Sequence, residues 1–544
     1  MKYVIVTGGV VSGLGKGITA SSIGMLLSSY GLVVTAIKID PYLNVDAGTI
    51  SPFEHGEVFV LDDGAETDLD LGNYERFLNV SLHKDNNLTT GKIYQAVIEK
   101  ERRGEYLGKT VQVVPHITDY IQEHIQRVAQ LPVTNGVKND VCIIELGGTI
   151  GDIESSPFIE ALAQLKQDLP VEDYCFVHVS LITMVGGEPK TKPTQHSLKT
   201  VKSLGIMPDI VCLRCEQTLT AEMQTKLRRT CHLPLETAII SNCNVDTIYR
   251  VPDIFRSQGV DKIVLNKLHL AQPHKSSLEG YYGILKCIDN PTLPKVTIAV
   301  VGKYTAMKDT YLSLLRALEH ASFYLQCRLV VEWIDAELFE TTKPVSDLLN
   351  FNGVLVPGGF GNRGVEGMIL ATKFARENHL PFFGICLGMQ VMLIELARNT
   401  MDWSNANSTE FDETTQFPIV KRSHKLEIQM GGSMRLGLFD YDLIPDTQTS
   451  KLYTEFGFGK TISERHRHRY EVSNALFDQM VEKGVVVTAG KSQNETRRII
   501  EVVEWPSVSF GIACQFHSEY VSRNNSPHPL FVGFLRACAA NKKT

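Results

Sequence analysis

Cys386 is flanked by Gly384 and Gly388 in a Gly-Ile-Cys-Leu-Gly turn, with an apolar strand-like run before it and a helical pattern after it. Glycines on both sides permit a sharp strand-to-helix turn that presents the central side chain, and a following helix N-terminus favours thiolate. This is the layout of a nucleophile elbow. A thiol nucleophile needs a base and an orienting acid. His517 and Glu519 stand two apart after the apolar run Ser509–Phe516 and supply both, provided the segment is extended so that they share one side. Amide groups of Leu387 and the Gly358-Gly359 turn can form an oxyanion hole. Arg469, in the basic stretch Arg465–Glu471, can take a substrate carboxylate bidentately, unless that stretch is simply a solvated strand.

A second set of chemical residues lies near the other end of the chain. Thr7–Thr19 reads TGGVVSGLGKGIT, between an apolar run and a helical pattern. Converging backbone amides, a helix N-terminus and Lys16 would cradle phosphate. The fit to G-x-x-x-x-G-K-[ST] is imperfect. Val10 replaces the first glycine, and Gly17 replaces the metal-binding hydroxyl. Any Mg²⁺ must therefore be held by carboxylates elsewhere. Glu145 at the tip of the apolar run VCIIE, and Asp70 in the acidic segment Asp62–Asp70, are the candidates; Lys38 and Asp40 end another strand-like run. Lys190–Gln195, KTKPTQ, is either an exposed basic loop or a triphosphate contact.

These residues need elements to hold them. Runs Val33–Ile39, Val141–Leu146, Tyr174–Ile182, Ile210–Leu213 and Thr237–Ile240 read as strands buried on both faces, alternating with helical patterns. That is a parallel α/β sheet, with ligands beyond the carboxyl ends of the strands. Irregular, proline-bearing sequence from 272 to 295 reads as a linker, and a new α/β pattern begins at Val296. The expected organisation is two doubly wound α/β domains, 1–271 and 296–544. A chain of 544 residues is too long for one ordinary core. With 61 acidic and 54 basic side chains, the net charge of −7 leaves no basic surplus for general nucleic-acid binding. No apolar run is long enough to span a membrane and no signal peptide is legible, so a cytoplasmic location is expected. The 11 cysteines lack a paired C-x-x-C framework; Cys212 and Cys215, in one apolar run, read as reduced thiols.

The stretches SGLGKG, KIDPYLNVDAGT, HGEVFVLDDGAETDLDLGNYERF, ELGGTIGDIES, KTKPTQ, PGGFGNRG, GICLGMQ and RHRHRYE together resemble the CTP synthase family of glutamine-hydrolysing amidoligases. The resemblance spans nearly the whole chain. Its second-half motifs are shared with other class I glutamine amidotransferases. It implies an N-terminal P-loop-like amidoligase domain, dethiobiotin synthetase-like, and a C-terminal class I glutamine amidotransferase domain. MgATP would phosphorylate O4 of UTP. Glutamine hydrolysis through a Cys386 thioester would release ammonia, which passes internally to attack C4 and give CTP.

Position by position, Gly13, Leu14, Gly15, Lys16, Gly17 and Ile18 match the ATP phosphate loop, and Cys243, Asn244 and Val245 lie near adenine. Asp70 and Glu145 match the Mg²⁺ ligands. Lys16 and Lys38 would stabilise the transferring phosphoryl group. Ser12, Lys190, Thr191, Lys192, Pro193, Thr194, Gln195 and Lys226 match contacts to UTP and CTP, and Asp152, Ile153 and Glu154 match the pocket of the inhibitory CTP base. Gly359, Leu387, Gly388, Met389, Gln390, Glu410 and Arg469 match the glutamine pocket, and His55 matches a residue tied to the activator GTP. A homotetramer, with filaments in some members, is implied. Two positions depart from the family pattern. Ser518 replaces the proline between His517 and Glu519, and Asn244 stands where an aspartate is common. A different amidoligase, of cobyric acid synthase type, would share the loop and the elbow but not KTKPTQ. A non-catalytic nucleotide-binding filament protein would not need Lys16, Lys38, Asp70, Glu145, Cys386, His517 and Glu519 all intact.

Overall fold

The computed structural model describes residues 1–133, 136–271, 276–422, 434–494, 497–506 and 508–541. The chain divides into two compact units, one of residues 1–47 and 70–285, the other of residues 48–69 and 286–544.

The first unit is built on a seven-stranded sheet. In spatial order its strands are Ala238–Cys243, Ile210–Cys215, Tyr174–Leu181, Lys2–Gly8, Val141–Leu146, Val34–Asp40 and Asn87–Thr89. Every pairing is parallel. Val141–Leu146 is buried at all six positions and Val34–Asp40 at all seven, as apolar runs covered by helices on both faces must be. The crossovers build outward on one side of Lys2–Gly8 and then, after Val141–Leu146, on the other. The loop leaving Gly8 thus opens beside the place where the winding reverses, where such sheets bind ligands.

The second unit carries a nine-stranded mixed sheet. Its parallel half runs Arg328–Asp335, Lys295–Gly302, Gly353–Val356, Phe382–Ile385 and Gly511–Cys514; Arg497–Glu504, Val487–Asn494, Arg435–Leu443 and Thr461–His468 continue it antiparallel. Cys386 follows one central strand and His517 follows its neighbour. The sequence between 272 and 295 also carries a helical pattern around Tyr281–Ile288, and a helix, Glu279–Asp289, lies there.

Residues 48–69, contiguous in sequence with the first unit, group with the second. The hairpin Val58–Val60/Glu66–Asp68 is held there by charged side chains. Arg465 donates to Asp62 Oδ1 at 2.6 Å and to the Val60 carbonyl at 3.1 Å, and Arg467 donates to Glu66 Oε1 at 2.8 Å. Ser313 donates its backbone amide to Glu57, and Tyr520 its hydroxyl to the Val58 carbonyl. The solvated-strand reading of Arg465–Glu471 is thereby corrected. Arg465 is 1% exposed, and its charge is met by a segment some 400 positions earlier. Among the described residues no helix is long and apolar enough to cross a membrane.

Candidate functional site

In the first unit, the glycine loop enters a helix that starts at Lys16, with Gly15 as a left-handed cap (φ 81°). Lys16 is pinned along the loop. A Cβ on Gly8 would lie 2.7 Å from Lys16 Cδ, and Lys16 Nζ donates to the Gly148 carbonyl at 2.7 Å. Burial lowers its pKa, against the pull of Glu145. Lys38 sits among three carboxylates, bonded to Asp70, 3.3 Å from Glu145 Oε1 and 3.6 Å from Asp40 Oδ1. Tyr74 donates its hydroxyl to Glu145 Oε2. Burial raises the Glu145 and Asp40 carboxyls despite Lys38. Burial also acts to raise Asp70, but there the charge and hydrogen bond of Lys38 win and hold it below the usual carboxylate range.

Gly17 explains the missing hydroxyl. A Cβ at this position would lie 2.2 Å from Asp70 Oδ1, so the carboxylate fills the space a serine or threonine side chain would take. Asp70 and Glu145 offer hard oxygen donors beside the glycine loop, a donor set that would fit Mg²⁺ held by one or two carboxylates plus nucleotide phosphates. Among the described residues no group of three or more His, Cys, Asp or Glu side chains is placed to hold a metal ion. Gly17→Ala should therefore cost ATP-dependent turnover about 10²-fold, the scale for a catalytic group pushed out of place. Ammonia-dependent CTP formation measures that loss; glutaminase activity should persist.

KTKPTQ is not a free loop. Lys190 ends a hairpin, and Lys192 begins the helix Lys192–Ser203 with Pro193 in its first turn. Thr194 Oγ1 donates to the Leu181 carbonyl at 2.8 Å, and Gln195 Nε2 to Thr191 Oγ1 at 2.9 Å. Sequence reasoning missed what ties this helix to the phosphate loop. His178, wholly buried, lies 3.1 Å from Thr7 Oγ1 and 2.7 Å from Ser197 Oγ. A Cβ on Gly9 would lie 2.0 Å from Ser197 Oγ, so only glycine admits the contact. Burial lowers the His178 pKa to about 3, so it is a neutral strut. A histidine inside an apolar strand was the available signal. Ser12 and Asp152–Glu154 are exposed. Cys243 ends the strand Ala238–Cys243, and Asn244 and Val245 follow it; the Asn244 amide donates to the Cys215 carbonyl at 3.0 Å and Arg214 to Asn244 Oδ1 at 2.8 Å. Lys226 lies on the exposed face of Ala221–Thr230, and among the described residues no hydrogen bond or ion pair joins its side chain to the loop.

In the second unit, Cys386 has φ 52° and ψ −100°, a strained conformation for a side chain other than glycine. The flanking glycines are forced. A Cβ on Gly388 would lie 2.1 Å from the Val356 carbonyl oxygen, and one on Gly384 2.8 Å from the Gly388 backbone. His517 and Cys386 border the same space at Gly358, where an added Cβ would lie 2.8 Å from His517 Cε1 and 3.5 Å from Cys386 Cβ, and His517 Nδ1 lies 2.7 Å from Glu519 Oε1. The sequence leads to the expectation that His517 and Glu519 share one side of an extended segment, and the structure corrects it. The strand stops at Cys514 and the pair forms across a turn in which the Tyr520 amide donates to the His517 carbonyl at 3.2 Å. Ser518 is fully buried there, its Oγ 3.9 Å from Cys514 Sγ.

Burial alone would lower the His517 pKa. The Glu519 carboxylate and Cys386 outweigh it and raise the imidazole to about 10. Glu519→Gln removes the largest raising influence and leaves the burial, so the alkaline limb of the glutaminase kcat/KM profile should move to lower pH. A pH series on both proteins measures it. Because the folded pKa lies above the ordinary 6.5, this pair's contribution to stability is full below about pH 6.5 and is lost as pH rises through about 10.

Gly358 and Gly359 line the same space. A Cβ on Gly358 would lie 2.8 Å from His517 Cε1, and one on Gly359 3.3 Å from Leu387 Cδ2. Gln390 is buried, and Gln515 bridges it to Cys386, 3.4 Å from Gln390 Nε2 and 3.7 Å from Cys386 Sγ. Met389 caps back to the Cys386 carbonyl at 3.1 Å. The Phe360–Gly361 peptide is gripped at both ends. Glu410 Oε1 accepts its amide at 2.8 Å, and Lys303 Nζ donates to the Phe360 carbonyl at 3.3 Å. Lys303 also bonds the Gly361 carbonyl, and burial lowers its pKa to about 8. Burial raises Glu410, opposed by the Gly361 amide, Lys303 and half-buried Arg469. Lys303 was not singled out in the sequence; a lone lysine ending the apolar run VTIAVVG was its only mark. His55 ends the short helix Pro52–His55 of this unit and is exposed.

Comparison with known proteins covers both units. Residues 2–270 match the family described as CTP synthase N-terminus, and residues 306–537 match glutamine amidotransferase class-I. The chain is 50% identical to the CTP synthase of Dictyostelium discoideum, over 99% of both chains. It is 46% identical to that of Methanococcoides burtonii, over 100% of this chain and 99% of that one, and 45% identical to that of Candida glabrata, over 99% and 96%. Likeness of this degree, end to end in relatives from an amoeba, an archaeon and a yeast, places the chain in the CTP synthase family.

Proposed function

We propose that the protein aminates UTP to CTP, using ATP and ammonia from glutamine, with the roles divided between the two units as follows. The observation that carries the assignment of roles is the pairing of Lys16 and Lys38 with Asp70 and Glu145 at one glycine loop, and of Cys386 with His517 and Glu519 at one strained elbow.

In the first unit, Gly13–Ile18 hold the ATP phosphates and Cys243–Val245 the adenine. Ser12, Lys190–Gln195 and Lys226 hold UTP, while Asp152–Glu154 serve the base of the feedback inhibitor CTP. Lys16 and Lys38 stabilise charge on the phosphoryl group as it moves from ATP to O4 of UTP. Asp70 and Glu145 would hold Mg²⁺, which when bound neutralises charge on the β- and γ-phosphates. Ammonia then attacks C4, and the phosphorylated oxygen leaves as phosphate.

In the second unit, Cys386 Sγ attacks the glutamine carboxamide. Amides of Leu387 and Gly359 stabilise the oxyanion, and Glu410 and Arg469 position the substrate. His517 delivers a proton to the departing ammonia, then takes one from the water that opens the thioester to glutamate. Glu519 fixes the imidazole tautomer. GTP is proposed as activator of this half, acting on the segment that bears His55, and the assembly as a homotetramer. Incubation with UTP, ATP, Mg²⁺ and glutamine should yield CTP, glutamate, ADP and phosphate in equal amounts. Glutamate and ADP without CTP would refute UTP as the acceptor.

A further inference from the structure

The C-x-x-C spacing of Cys212 and Cys215 is not a thiol pair, because residues three apart on a strand point to opposite faces. Cys215 has a different partner. It is directly opposite Cys243 on the adjacent parallel strand, and the two Sγ atoms are 3.6 Å apart. Neighbouring strands lie about 4.8 Å apart, inside the Cα separation that a disulfide spans. Cys215 is buried, whereas Cys243 is half-exposed, with Thr218 Oγ1 3.6 Å from its sulfur. Among the described residues all 11 cysteines are free. We infer that Cys215 and Cys243 are a reversible disulfide site, closed by peroxide, that weakens ATP use when oxidised.

The chemistry balances with peroxide as the two-electron oxidant. Cys243 sulfur attacks one peroxide oxygen, the O–O bond breaks, and a sulfenic acid and water result. Cys215 sulfur then attacks the sulfenic sulfur, forming the S–S bond and expelling a second water that carries off the Cys215 proton. Burial, with Cys243 alongside, raises the Cys215 thiol to about 12, consistent with the first step falling to the more accessible Cys243. Closing the sulfurs from 3.6 Å to about 2.05 Å draws the two strand ends together. Cys243–Val245 move with them, and the effect on ATP rests on the proposal that these residues contact adenine.

The test treats the full-length protein with hydrogen peroxide, then digests it without reductant for mass spectrometry. Ammonia-dependent CTP formation is assayed in parallel, since it does not require Cys386. A peptide pair linked through Cys215 and Cys243 is expected, together with a several-fold rise in KM for ATP that dithiothreitol reverses and that Cys215→Ala does not show. Absence of the linked pair at peroxide levels that already oxidise Cys386 overturns the inference. The linked pair with an unchanged KM for ATP upholds the disulfide site but overturns both its effect on ATP and the adenine role of Cys243–Val245.

Discussion

Cys386→Ala should abolish glutamine-dependent CTP formation while leaving ammonia-dependent formation near that of the unaltered protein. The thiol is the group proposed to make the acyl bond. Its loss leaves the proposed oxyanion amides and glutamine pocket but no nucleophile, and deletions of this kind lower turnover on the order of 10⁴-fold or more. The substitution is well tolerated sterically. Cys386 lies on a strained turn (φ 52°), but the side chain shrinks, and the flanking contacts to Val356 and the Gly388 backbone belong to glycines that remain. Glutaminase and CTP synthesis should be measured on one preparation with glutamine and with ammonium chloride at raised pH. Loss of both routes would mean that the thiol serves the first unit as well, contrary to the division of labour proposed.

Lys16→Ala should remove both routes together, because it acts before the nitrogen source matters. The side chain crosses Gly8 and reaches the Gly148 carbonyl, a path that places its ammonium at the mouth of the loop beside Glu145. With few other groups to neutralise a phosphoryl group in transfer, loss of one such cation costs about 10³-fold or more. Lys38 does not make up the loss, since its proposed share in stabilising the phosphoryl group is already exerted in the unaltered protein, from a position fixed by Asp70, Glu145 and Asp40. Glutaminase activity in the absence of UTP and ATP should be retained, which shows that the variant is folded. CTP formation from ammonia at more than a tenth of the normal rate would remove Lys16 from the phosphoryl-transfer step.

The legible parts of the sites were the local ones. A glycine-rich turn between strand and helix, or a cysteine between two glycines, is specified by neighbours within a few positions. The backbone requirement and the chemical group therefore appear in one short stretch. Alternating apolar runs and helical patterns likewise announced the parallel sheet, because strands covered on both faces have few polar positions to hide in. The resemblance of several such stretches to one family then supplied substrates that no physical reading of the residues reached.

By itself, then, the sequence determined two α/β halves, a phosphate loop lacking its hydroxyl, and a cysteine elbow with a histidine and a glutamate in reserve. Tertiary structure decided what those features meet. Asp70 comes from a different element to fill the space left by Gly17, and His178 braces Ser197 against Gly9. Lys303 and Glu410 grip one peptide from opposite ends, residues 48–69 join the second unit through Arg465 and Arg467, and Cys215 faces Cys243 instead of Cys212. Each of these is a contact between residues far apart in the chain. Strand order and register set them, and these are fixed by packing of the whole sheet, so no local window of residues contains the information.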